Sequence, residues 1–144
     1  MWKGILALLL LGAHLNLTGL VPLKAGEVPP PWWVGGRLIW PFAVETHTLV
    51  PPGDALNTLT PILSIASAVL LLLAAAALLR WGVPGGWFPW LIVAGTVLSI
   101  VLQSIWFTGW ALLPLLVDAV LLWAVFGRHV TVSNLRVKGG GTVV

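Results

Sequence analysis

Asp118 and His14 are the residues of this chain with the most chemistry available to them. Each is ionisable, and each sits in an otherwise apolar run, "LLPLLVDAVLL" and "GILALLLLGAHLNL". An ionisable side chain at the centre of a bilayer costs at least ~2.5 kcal/mol on insertion scales, so its presence there implies a role. Two pairings are open. Asp118 is either neutral and hydrogen-bonded to Ser99, or ionised against a protonated His14. Its role is either that of a structural latch or that of a proton- or ligand-linked site. A contact at an oligomer interface is the remaining reading.

Weaker polar groups recur at similar depth. Thr96, Ser99 and Gln103 follow one another at i, i+3 and i+7, which places them on one face of a helix. Ser64 and Ser67 fall in the outer half of another apolar run, and Thr18 lies one turn beyond His14. Reflecting the last two runs about the turn at 108–109 brings Asp118 level with Ser99. Together these residues predict a polar patch inside a helical bundle. Taken singly, the hydroxyls read as packing groups, which contribute about 0.6 kcal/mol each in membrane helices. Gln103 reads as an interhelical hydrogen-bonding residue.

Glu45, His47 and Asp54 form a second, looser set. Two carboxylates and an imidazole have the donor chemistry for a metal, yet no ligand-spacing motif is present, and the residues read as a solvated loop. Cysteine is absent altogether, which removes disulfides, thiolate zinc, iron–sulfur clusters and covalent haem. Haem b needs a second intramembrane histidine that His14 lacks. The Asn16-Leu17-Thr18 sequon lies within an apolar run and reads as accidental. No cofactor is implied.

Composition dictates what positions these residues. Of 144 residues, 59% are hydrophobic and 8% charged, and mean hydropathy is +1.05. A soluble domain carries about 25% charged residues. The chain therefore reads as an all-α integral membrane four-helix bundle, with spans at about 4–23, 61–79, 89–107 and 110–126. Thr60 stands as N-cap and Pro61 in the first turn of the second span. The first run has a rival reading as a signal peptide, but it lacks a small-x-small cleavage site, and the expectation is a retained helix.

With the N-terminus inside, Lys3, Arg80, Arg128, Arg136 and Lys138 are cytoplasmic, and Lys24 and Arg37 are outside. The positive-inside rule thus places both termini in the cytoplasm. Residues 24–60 become one long extracytoplasmic loop between helices 1 and 2. Its Trp32, Trp33, Trp40 and Phe42 suggest a cap on the membrane surface, and "FAVETHTLV" is strand-like in its β-branched content. Residues 1–127 form the four-span domain. Residues 128–144 form a cytoplasmic basic, glycine-rich tail, expected to be frayed or to touch anionic lipid. So few basic residues argue against a nucleic-acid partner.

The run "WFPWLIVAGTVLSIVLQSIWFTGWALLPLLVDAVLL" resembles the last helical hairpin of uncharacterised small bacterial membrane proteins. In those, a serine-bearing helix, a tryptophan turn and an Asp-bearing helix follow one another. Four spans with a long first loop are similar to the DoxX-like plan, although the glutamate–glycine pattern of that family's second span is missing here. The resemblance implies a bacterial inner-membrane protein. The expected function is an accessory or partner-binding component of a membrane complex, or a homo-oligomer, in the lipid bilayer. The alternatives are a proton-linked transporter or channel component using His14 and Asp118, and a quinone-linked oxidoreductase small subunit. No nucleophile–base pair or phosphate loop points to an enzyme acting alone.

Overall fold

A computed structural model describes residues 1–17, 54–106 and 111–137. The described elements are helical throughout. They are α1 (Trp2–Leu17), α2 (Asp54–Leu79), a 3-10 turn (Gly85–Trp87), α3 (Phe88–Ile105), α4 (Leu112–Phe126) and a short α5 (Val132–Val137). No strand occurs among the described residues. The strand-like "FAVETHTLV", the tryptophan cap and Thr18 lie outside them.

The start of α2 corrects the sequence expectation. The helix begins at Asp54 and carries Pro61 inside it, so residues 54–60 leave the loop and Thr60 is not an N-cap. Instead the Thr60 hydroxyl donates to the Leu56 carbonyl at 2.8 Å and accepts from the Trp106 indole N–H at 2.8 Å. Proline removes one helical N–H, and membrane helices absorb that loss when nearby hydroxyls and neighbouring helices re-satisfy the backbone. The far end of α2 closes with N–H bonds from Trp81 to the Ala76 carbonyl and from Arg80 to the Ala77 carbonyl. That is a Schellman end, normally built on glycine. Here Arg80 takes the left-handed conformation, with φ 61°.

Helix α1 packs on α2 and α4, and α3 packs on α2 and α4. Small residues set the spacing. A Cβ at Gly95 would lie 3.0 Å from Leu71 Cδ2, and one at Gly12 would lie 3.1 Å from Leu71 Cδ1. Leu71 is thus wedged between two glycines of different helices, which lets α1, α2 and α3 approach closely. Ala68, Ala74, Ala75 and Ala77 continue the buried small-residue face of α2.

The Leu71–Gly95 and Thr60–Trp106 pairs run in opposite directions along the two helices, so α2 and α3 are antiparallel. The Gly12–Leu71 and Asn16–Ser99 contacts make α1 parallel to α3. Lys3, Arg80 and Arg128 therefore share one end of the molecule, and Thr60 and Trp106 lie at the other.

The C-terminal expectation also changes. Val130, Val132 and Leu135 are buried, so this part of the tail is folded rather than frayed. Thr131 starts α5, its hydroxyl accepting the Asn134 backbone N–H at 3.3 Å, as an N-cap does.

Two segments are long and apolar enough to cross a membrane, Thr58–Leu79 with mean hydropathy 2.7 and Gly85–Ile105 with 1.9. Helices α1 and α4 are apolar but shorter.

Candidate functional site

Around Asn16, Ser99 and Asp118 the polar side chains of three helices converge. The Ser99 hydroxyl donates to Asn16 Oδ1 at 2.9 Å, and Gln103 Nε2 donates to the same oxygen at 3.4 Å. Asn16 is fully buried, and Ser99 and Asp118 are each 1% exposed. Ser99 and Gln103 lie four residues apart, so α3 presents both to one amide of α1.

Asp118 enters from α4. Ser99 is the side chain whose hydroxyl bears on its carboxyl. A serine has a single proton to give, and that proton is directed to Asn16. Neither Asp118 oxygen has a hydrogen-bond partner among the described residues, and nor does Asn16 Nδ2.

His14 does not join this cluster. It is exposed on α1, two residues from Asn16 and therefore turned to a different face of the helix. The ionised pairing of His14 with Asp118 has no geometry to support it. An unbroken i, i+3, i+4, i+7 face carries Ala7, Leu10, Leu11 and His14, all exposed.

The remaining hydroxyls divide by role. Ser67 donates to the Ser64 carbonyl at 3.1 Å and Thr96 to the Ile92 carbonyl at 2.8 Å, each within its own helix. Ser64 Oγ is buried with no partner among the described residues. Of the loop set, Glu45 and His47 lie outside the described residues, and Asp54 is the first residue of α2. No three His, Cys, Asp or Glu residues come together among the described residues.

Asn16 is the residue that sequence reasoning passed over. In the sequence it reads as half of an accidental sequon, and it carries no ionisable group. A primary amide inside "LGAHLNL", one turn after Gly12, was the available signal: an amide has up to four hydrogen bonds to satisfy.

What the fold defines is an all-helical protein with two helices long and apolar enough to cross a membrane. No family model, curated protein or solved structure matches the chain.

Proposed function

We propose that the chain is a small integral membrane protein whose four long helices form a membrane-embedded bundle, and that it acts as an accessory component binding a membrane partner. The outward surface supports the membrane setting. Leu59, Ile62, Ile65, Val69 and Leu72 form an exposed apolar strip along α2. Only 44% and 33% of the apolar windows of the two longest helices are buried, whereas the core helix of a soluble protein hides most of its apolar surface. Lys3, Arg80 and Arg128 at one end support placing that end, with both termini, in the cytoplasm.

The observation that carries the accessory reading is the exposed apolar face of α1 formed by Ala7, Leu10 and Leu11. An apolar helix face with a small residue on it lets a partner helix approach closely in the membrane. The test is gentle solubilisation from the native membrane and identification of what co-elutes. A stoichiometric membrane partner, lost in Ala7→Trp, is the expected result. A solitary protein overturns the reading.

A second reading is favoured by the unpartnered Asp118 carboxyl, namely a proton-linked transport component. It predicts that Asp118→Asn abolishes a pH-dependent flux in proteoliposomes while the helical content stays unchanged. Equal flux in both proteins would remove this alternative.

A further inference from the structure

At the end of the molecule opposite Thr60 and Trp106, a cavity of about 520 Å³ opens between the α2–α3 turn and the start of α5. Arg80, Gly85, Gly86, Thr131 and Ser133 line it, with Val132 and Pro89 as its apolar wall. We propose that this cavity binds the phosphate group of an anionic membrane lipid. The proposal rests on the membrane reading above and is independent of the partner.

Charge is the first argument. Residues 80–90 and 126–144 contain no Asp or Glu, yet include Arg80, Arg128, Arg136 and Lys138. The described acids do not help: Asp118 is buried at mid-helix and Asp54 begins α2 at the other end. The positive charge at this end has no counterpart in the adjoining chain. Arg128 rests over the Trp123 ring, 5.5 Å from its centroid, whereas Arg80 lines the cavity.

Backbone geometry is the second. Arg80 holds φ 61° at a helix end where glycine is the unstrained choice. Left-handed backbone in a non-glycine residue is strained and concentrates at ligand-binding positions. An arginine kept there places a forked, permanently charged donor beside the cavity, a group suited to phosphate oxygens.

The hydroxyls supply the third. Thr131 Oγ1 and Ser133 Oγ lie 3.0 Å apart, and one donates to the other. One proton of the pair is therefore left for a ligand. Gly85 leaves room beside the apolar wall, since a Cβ there would lie 3.5 Å from Val132. Trp81, Trp87 and Trp90, exposed by 79%, 60% and 75%, surround this end. Exposed tryptophans mark the headgroup level of membrane proteins, so the phosphate arriving at that depth is one carried by lipid.

The experiment uses the full chain in mild detergent and follows its melting by tryptophan fluorescence. Short-chain phosphatidylglycerol, short-chain phosphatidylcholine and inorganic phosphate are titrated separately. Phosphatidylglycerol is expected to raise Tm saturably and phosphatidylcholine is not. Arg80→Gln should weaken the phosphatidylglycerol midpoint about fivefold, the effect of one cation near an anionic surface. Gly85→Leu, which fills the space beside Val132 without changing charge, should weaken it too, and Arg128→Gln should leave it within about twofold.

Equal loss in Arg80→Gln and Arg128→Gln would overturn the cavity in favour of diffuse surface charge. An Arg80-dependent response to inorganic phosphate alone would overturn the lipid as the source. Failure of the membrane reading would show separately, as recovery of the chain in the aqueous fraction of lysed cells.

Discussion

The Ser99 hydroxyl donates to Asn16 Oδ1 at 2.9 Å, joining α3 to α1 across 83 residues of sequence. Both side chains are shut away from solvent, and a buried hydrogen bond of this kind fixes the rotation of one helix against the other. Asn16→Ala is expected to lower stability by about 1 kcal/mol, the usual net contribution of a buried hydrogen bond. Ser99→Ala should cost a similar amount. The double variant should cost clearly less than the sum, as read from unfolding in mixed detergent.

Asp118 answers to a different expectation. Its two buried oxygens lack donors among the described residues, and an unsatisfied buried acceptor costs about 1–3 kcal/mol. Asp118→Asn adds an N–H₂ that can donate to Ser99 Oγ. Stability should hold or rise by about 1 kcal/mol. A loss above about 2 kcal/mol would identify an ionic partner for the carboxylate.

Gly95 faces Leu71 with a Cβ-equivalent distance of 3.0 Å to its Cδ2 and 3.3 Å to Leu70 Cβ. Gly95→Ala presses first on the flexible end of Leu71 and should cost about 1 kcal/mol. Gly95→Leu has no room to enter and should cost roughly 3 kcal/mol or prevent folding. Melting temperature and the yield of monodisperse protein in detergent separate the two outcomes.

Trp106 ties the far end of the α2–α3 pair through its N–H to Thr60 Oγ1. Trp106→Phe keeps most of the ring and deletes the donor. A loss near 1 kcal/mol is expected, and Thr60→Val should produce about the same loss with little further effect in combination.

Arg80→Gly should relax the left-handed turn and stabilise the fold by roughly 0.5–1 kcal/mol. The same substitution should weaken the response to phosphatidylglycerol. A gain in stability coupled to a loss of binding is the signature of backbone strain kept for a ligand. If both quantities fall together, Arg80 is a structural residue.

Several elements are legible in the sequence alone. The apolar runs at 61–79, 89–107 and 110–126 correspond closely to α2, α3 and α4, because uninterrupted apolar sequence leaves the backbone only itself to bond to. Helix boundaries were less accessible. Residues 54–60 carry polar groups and precede a proline, and only the contacts of Thr60 with Leu56 and Trp106 explain why they are helical. The fold of Val132–Val137 was hidden for a similar reason. A Thr cap and three buried apolar residues matter only once α5 lies against Gly85, where a Cβ would meet Val132 at 3.5 Å.

The amino-acid sequence by itself determined the helical class, the apolar character and the clustering of uncompensated positive charge. Each follows from composition and from periodicity along a single helix. Rotation of the helices about their axes was decided by tertiary structure alone. Asn16 and His14 are two residues apart in a run of leucines, and nothing local distinguishes them. The glycine–leucine wedge of Gly12, Leu71 and Gly95 sets how α1 is turned. That packing carries Asn16 inward to Ser99 and leaves His14 on the outer surface.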